Sequence, residues 1–380
     1  MKILHLISDH QVVERTLSIF EDIFPDKNEV LIFSDKADLK HIVKYKESSI
    51  VNRRNYKRII DEFDFSEITY VVAHYLSFEK IDFIKCIPQQ IHVCWDMYGG
   101  DFYNQFLHVM GYDLYYSNPI KYSKYYYLKR FFPSLLKMLL YIKGNRPVYE
   151  RIIKKQFNYI SHRINSLSVC CSGEVALFKQ YSGVEPPCLE IFKYSLKETL
   201  GDLYGSDFSK GDDILIGNSA SFTNNHLYAF QQLKGIDINK SNLVIPISYG
   251  GIPKYVSEIK MVYTEKYPQN VKFISRYMPL REYNKMFMNM KIMILSSWRQ
   301  ESVGTIIMGL YLGIKIYLSR KNPLYDWLLS LGCKIYCMEE LATDDFNIPL
   351  KNPEKENNRG IILKHYSDEN VRSNIRNHFK

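Results

Sequence analysis

Nowhere in this 380-residue chain does an apolar run approach the roughly 20 residues that a membrane-spanning helix needs. The apolar part of the opening "MKILHLISDH" is too short for a signal peptide and reads as a first strand. The seven cysteines (86, 94, 170, 171, 188, 333 and 337) include no Cys-x-x-Cys pair with histidine partners. Their odd number, and their place inside apolar runs, argue against a disulfide framework or zinc site and for reduced core thiols in a cytoplasmic protein. No Asp-x-Asp follows an apolar strand candidate, and Asp212-Asp213 precedes a strand rather than ending one. The usual means of clamping Mg²⁺ on a diphosphate is therefore missing, and no metal or other cofactor is expected. Repeats of solenoid length and low-complexity tracts are also lacking.

One absence is local. Between Asp113 and Glu150 there is no acidic residue, although the chain as a whole carries only a moderate net charge of +9. Lys121, Lys124, Lys129, Arg130, Lys137, Lys143 and Arg146 fill that gap, interleaved with "YYYL" and "FFPSLLKMLLYI". Three readings stand open. The segment is a solvated basic helix beside a core helix, an amphipathic stretch on an anionic membrane surface, or a surface for nucleic acid.

What is present is ordinary globular material, with 46% apolar and 24% charged residues, plus an unusual 31 Tyr and 21 Phe. In the first half, short apolar runs at 3–8, 29–34, 68–74, 90–96 and 167–173 read as buried parallel strands. Helical spacing lies between them at Val12–Phe24 and Arg53–Phe63. The second half repeats the pattern with strand candidates at 213–218, 242–248, 271–275, 291–297 and 314–319, and helices at His226–Leu233 and Leu280–Met290. Lys197–Asp213 reads as a linker. The tail reads as loop from Asn347 to Asn358, then as a helix opened by Ser367. Strand alternating with helix predicts an α/β protein of two doubly wound domains. The expected division is 1–205, containing the basic aromatic segment 114–149, then 206–350, then a tail and helix at 351–380.

Ligands of open parallel sheets collect beyond the carboxyl ends of strands. In the first half those ends carry Asp9 and His10, His74, and Asp96 through Asp101; in the second, Gly217-Asn218-Ser219, Tyr249-Gly250-Gly251, Arg299-Gln300-Glu301 and Gly304-Thr305. The stretch "ILIGNSASFTNNH" (214–226) ends a strand in small hydrogen-bonding residues and hands over to a helix. Small residues let a backbone approach a diphosphate, and amides at a helix N-terminus favour its charge. A plain turn with Ser or Asn caps reads equally well from this stretch alone.

The run from Val271 to Leu328 resembles the donor-binding half of GT-B glycosyltransferases, enzymes with two facing Rossmann-like domains. Glu301 and Gly304 occupy that pattern's Glu-x-x-Gly. Where a second Glu often follows eight residues on to hold the ribose, this chain has Gly309. In order, "GNSASFTNNH", "VIPISYG", "RQESVGT" and "NPLYDW" resemble the bacterial N-acetylfucosaminyltransferases of glycosyltransferase family 56, which build enterobacterial common antigen. "HVCWDMYGGDFY" resembles the Trp-rich segment of the same family. The likeness covers most of 90–105 and 213–330.

That resemblance implies a GT-B fold of two facing domains with a C-terminal helix. It implies transfer of a deoxy or acetamido hexose from a dTDP-, UDP- or GDP-sugar to a polyprenyl-diphosphate-linked saccharide, on the cytoplasmic face of the inner membrane. Gly217, Asn218, Ser219, Asn225 and His226 would then lie near the donor diphosphate, and Tyr249 near the base. Arg299 would steady the leaving group, Glu301 would meet the sugar or ribose, and Gly304 with Thr305 would offer amides. For the base on the acceptor hydroxyl, Asp96 ranks ahead of Asp101, with His10 and His74 behind. Two rivals remain: a nucleic-acid-binding protein, which is not expected because the basic excess is confined to one segment, and a sugar-nucleotide epimerase of the same architecture.

Overall fold

The computed structural model describes the chain except residues 11, 36–37, 46–48, 53, 123–145, 191–194 and 239–240. Most of the basic aromatic segment, Lys129 and Arg130 included, thus falls outside the described residues. The chain forms two compact units. The first comprises Met1–Tyr112, Asn145–Ser195 and Asp368–Lys380; the second comprises Asp113–Gly144 and Leu196–Ser367.

In the first unit a seven-stranded, wholly parallel sheet has the order β3-β2-β1-β4-β5-β6-β7. Its strands are β1 (Lys2–Ser8), β2 (Asn28–Phe33), β3 (Ser49–Val51), β4 (Ile68–His74), β5 (His92–Asp96), β6 (Ser166–Val169) and β7 (Cys188–Glu190). Central strands such as β1 are buried on both faces, which is why they read as continuous apolar runs rather than alternating ones. Helix Val13–Ile23 buries Val13, Thr16, Leu17 and Phe20, one stripe at helical spacing.

The second unit holds β8 (Asp213–Ile216), β9 (Leu243–Pro246), β10 (Val271–Ile274), β11 (Met290–Leu295), β12 (Lys315–Leu318) and β13 (Tyr336–Cys337). They form a parallel sheet of order β10-β9-β8-β11-β12-β13. This is the doubly wound dinucleotide-fold order, and the winding reverses between β8 and β11. In the first sheet it reverses between β1 and β4.

Several expectations differ from what is found. The edge strands β3, β7 and β13 have only two or three residues each, too few for any period to register. Lys197–Asp213 is not all linker, since helix Leu196–Leu200 and a 3₁₀ turn at Gly201–Leu203 occupy its start. Residues 352–358, expected as loop, open helix Asn352–His365. There Pro353 sits in the first turn, where its missing N–H costs nothing, and Glu354 accepts from the Lys351 amide at 2.8 Å. The last helix, Asp368–His378, does follow Ser367, and it packs Val371, Ile375 and Phe379 against Ile3, Phe20 and Tyr70 of the first unit. All seven cysteines are free thiols.

Candidate active site

The reversal point of the second sheet is where the quoted Gly-Asn-Ser turn lies. Gly217 leaves β8 at φ +66°, and a Cβ there would stand 2.9 Å from both Asn224 Oδ1 and His226 Nε2. Only glycine fits, because the conformation is left-handed and the space is already filled. Asn224 organises the turn. Its Oδ1 accepts from the Asn218 amide at 2.9 Å, its Nδ2 donates to Ser219 Oγ at 3.1 Å, and its carbonyl accepts from Ser296 Oγ at 2.6 Å beyond β11. Ser219, which also accepts from the Ser221 amide, is thereby a buried part of the turn itself.

His226 opens the next helix, His226–Gln232, fully buried. Neither ring nitrogen has a hydrogen-bond partner among the described residues, and the same holds for the buried Oδ1 of Asn218. Burial holds the His226 pKa down to about 4, against a smaller opposing pull from Glu301, so the ring is neutral at pH 7. A neutral imidazole carries one N–H, and leaving it buried and unmet is costly. Asn225, the left-handed residue just before, is fully occupied otherwise. Its Oδ1 accepts from the Tyr116 amide at 2.9 Å, and its Nδ2 donates to the carbonyls of Leu114 and Ser296, each at 3.3 Å. Asn225 therefore ties backbone segments together, and the diphosphate role expected for it has no free group behind it.

Beyond β11 the chain turns through Ser297, Trp298 and Arg299. Arg299 Nη2 lies 3.2 Å from Glu301 Oε1, and Ser297 Oγ donates to Glu301 Oε2 at 3.2 Å. Burial works to raise the Glu301 carboxyl. The Arg299 charge and hydroxyl donors from Thr223 and Ser297 outweigh it, leaving the group ionised below its ordinary range. Ser302 is left-handed at φ +65°, and helix Val303–Tyr311 begins at once, with Gly304 and Thr305 in a first turn whose amides lack intrahelical acceptors. Thr305 shares a hydrogen bond with Tyr283. Tyr249, after β9, is 60% exposed. Gly309 faces inward, where a Cβ would meet Met293 Sδ at 2.6 Å and Ile316 Cδ1 at 3.0 Å. A glutamate could not stand there, and that position is packing against the sheet.

In the first unit a sealed polar chain runs from the carboxyl ends of β4 and β5 through mid-β1 to the amino end of β2. Asp96 is buried, with Oδ2 2.8 Å from His74 Nδ1 and Oδ1 accepting from Ser168 Oγ at 2.7 Å. His74 Nε2 meets His5 Nδ1 at 2.9 Å, and His5 Nε2 meets Asn28 Oδ1 at 3.1 Å. Because Asn28 Nδ2 donates to Glu21 and to the Phe24 carbonyl, its Oδ1 is the acceptor and His5 Nε2 carries hydrogen. His5, whose pKa burial and His74 depress to about 3, is neutral and accepts at Nδ1. His74 must then donate from Nε2, and one further proton lies between His74 Nδ1 and Asp96 Oδ2. Asp96 is already engaged at both oxygens, which removes the ground for ranking it first as a base.

Asp101 is likewise sealed. It accepts from the Trp95 indole at 2.8 Å and from the amides of Leu76 and Tyr98 at 2.9 and 3.0 Å. Burial raises its carboxyl and these donors oppose the rise. It anchors the start of the π-helix Gly100–Leu107. His10, by contrast, is exposed beyond β1, and partial desolvation together with His41 and Lys80 lowers its pKa. Asp9 beside it accepts from the amides of Lys40, His41 and Ile42. Among the described residues no three His, Cys, Asp or Glu side chains gather as metal ligands, and no helix is long and apolar enough to cross a membrane.

Asn224, Thr223, Ser296 and Ser297 were not singled out for the site by sequence. Their signal is the density of small hydroxyl and amide residues after two neighbouring strands.

Residues 162–344 match the family described as 4-alpha-L-fucosyltransferase glycosyl transferase group 56. Among solved structures, a glycosyltransferase from Rickettsia africae ESF-5 superposes with a TM-score of 0.61 at 12% identity, covering 100% of this chain and 97% of that one. Anabaena HepE in complex with UDP and glucose gives 0.59 at 12% identity, with coverage of 100% and 99%. The lipopolysaccharide outer core galactosyltransferase WaaB, in its apo form, gives 0.62 at 13% identity, with coverage of 99% and 98%. The structural likenesses carry the GT-B fold, and the family model matches a little under half of the chain.

Proposed function

We propose that this chain is a glycosyltransferase of the group 56 kind that its residues 162–344 match, moving a deoxy or acetamido hexose such as fucose or N-acetylfucosamine from a nucleotide sugar to a polyprenyl-diphosphate-linked saccharide of the bacterial surface. The observation that carries the donor half is the pair of buried polar groups at the reversal point of the second sheet that meet no partner among the described residues, His226 and Asn218 Oδ1, with Glu301, the ion-pair partner of Arg299, acting on the His226 charge. A nucleoside diphosphate supplies oxygen acceptors for the His226 N–H, and a sugar or ribose hydroxyl supplies a donor for Asn218 Oδ1.

As the bond from the anomeric carbon to the diphosphate breaks, negative charge grows on the leaving oxygens. Arg299 keeps a permanent cation there, and the first-turn amides of Val303–Tyr311 add partial positive charge. Glu301 keeps the guanidinium oriented. Tyr249 offers an exposed ring to the base. On the acceptor side we place His10 ahead of Asp96 and Asp101, since it is exposed and its lowered pKa leaves it neutral and able to take a proton. Bound UDP and glucose in Anabaena HepE support a nucleotide-sugar donor.

Thermal-shift titration with UDP-, dTDP- and GDP-sugars tests the donor reading, because a ligand that binds only the folded state raises the melting temperature by mass action. One of the three should do so, and no shift with any of them overturns it. Consumption of donor without acceptor would mark an epimerase or hydrolase instead. Turnover should persist in EDTA; complete loss restored by Mg²⁺ overturns the metal-independent reading. Membrane docking through 114–149 rests on sequence, and Lys129→Glu with Arg130→Glu should release the protein from anionic vesicles while leaving donor binding intact.

A further inference from the structure

The carboxyl ends of β1, β4 and β5 carry three aromatic side chains that the donor reading does not use. The ring of His10 stands edge-on to Tyr98, with centroids 6.0 Å apart and planes at 81°. Tyr98 in turn lies 6.3 Å from Tyr75 at 67°. The Tyr75 ring leans over Gly100, where a Cβ would come within 3.3 Å of it, so a glycine there leaves the ring its place. Tyr75 and His10 are exposed and Tyr98 is half-buried.

Tyr75 is also left-handed, at φ +53°. For a bulky residue that conformation is costly and persists only where the surroundings over-determine it. Here they do. The Tyr75 amide donates to the Asp96 carbonyl at 3.1 Å, and the buried Lys80 ammonium donates to the carbonyls of His74 and Tyr75. The next amide, that of Leu76, is held by Asp101. A fully buried lysine on two carbonyls, with its pKa lowered by burial to about 7, is an expensive way to hold a loop. Its effect is to fix one exposed ring.

We propose that Tyr75, Tyr98 and His10 form a subsite for one pyranose ring of the saccharide acceptor, with the Tyr75 face under the sugar and Tyr98 and His10 along its edge. The assignment of the ligand rests on the glycosyl-transfer reading; the site itself rests on the rings and their support. A pyranose has an apolar face of axial C–H groups and a polar rim. That chemistry matches a corner of steeply angled rings with an exposed imidazole at the edge. A ring already fixed loses little entropy when a sugar settles on it.

The test uses the full chain labelled with 3-fluorotyrosine, its Tyr75 and Tyr98 signals assigned by Tyr75→Phe and Tyr98→Phe. Methyl glycosides of N-acetylglucosamine, N-acetylgalactosamine and glucose are titrated in, without any nucleotide. Both signals should shift saturably with at least one glycoside. Tyr75→Ala should raise the acceptor KM about tenfold, the scale of one lost ring contact, while the donor-induced melting shift stays as in the parent. Tyr75→Gly supplies the control for folding: it relieves the left-handed backbone, so the melting temperature should hold or rise while the glycoside response is lost. Unmoved ring signals with all three glycosides, or an unchanged acceptor KM in Tyr75→Ala, overturn the subsite. If the ring signals respond but no nucleotide sugar raises the melting temperature, the subsite stands and the donor reading falls.

Discussion

The two sheets wind alike, yet their strand ends are finished in opposite ways. Where the first sheet reverses, every polar group in the chain from Asn28 through His5, His74 and Asp96 to Ser168 meets a partner inside the protein. Where the second reverses, His226 and Asn218 Oδ1 are buried and meet no partner among the described residues. Satisfied buried networks rigidify, whereas unmet buried groups raise the energy of the empty state and lower it again when a ligand arrives. The first end is a shelf that fixes what stands on it, and the second, on the proposed reading, is a socket.

That contrast can be broken most forcefully at the shelf. Asp96→Ala leaves His74 and Ser168 without their acceptor and should cost about 3–5 kcal/mol of stability, read by denaturant unfolding with amide exchange at β4 and β5. A loss below about 1 kcal/mol would show that the network does not hold the strand ends. Next in size is the socket's cation. Arg299→Ala should lower kcat by about 10²–10³-fold, the cost of removing one preorganised group facing developing charge. An unchanged kcat would place the leaving group elsewhere.

His226→Phe sharpens the comparison because its two effects have opposite signs. Donor affinity should fall about tenfold or more, while the melting temperature without donor should hold or rise, since the lost nitrogens had no partners. The variant should also flatten the acid response. His226 has a folded pKa of about 4 against an ordinary 6.5, so the unfolded chain takes up a proton in that window that the folded protein refuses. Stability from this group is therefore present above pH 6.5 and falls as pH drops towards 4. His5 and His378, also depressed, impose the same sign on the first unit, so the parent-minus-variant difference is the quantity to read. Smallest is Tyr249→Ala, expected to weaken donor binding about two- to tenfold through one exposed ring contact, measured by calorimetry.

The doubly wound sheets were legible because parallel strands buried on both faces must be written as apolar runs, and β1, β4, β8 and β11 are. Gly217 was legible as a small residue at a strand end, though its left-handed backbone was not. The helix from Asn352 was masked by its polar composition, although Pro353 and Glu354 carried its start. That the second unit takes in the chain from Asp113 left no mark in the sequence. For Asp96, Asp101 and Asn225 the sequence was incomplete for one reason: it displays donors and acceptors but not which of them meet. Asp96 ends a strand as a catalytic carboxylate would, and only the positions of His74 and Ser168 reveal it as occupied.

The closing helix has a bearing on how the molecule is made. Phe379 is buried beside Phe20 and Tyr70, and the Tyr70 hydroxyl donates to the Lys380 carbonyl at 2.6 Å. Ile3, Phe20 and Tyr70 thus wait for residues 371–379 before this apolar patch is covered. Until then, on the ribosome, Ile3, Phe20 and Tyr70 remain a sticky surface. Clipping the chain after Ser367 would harm the unit whose sequence begins 366 residues earlier, and leave the one preceding the cut comparatively whole.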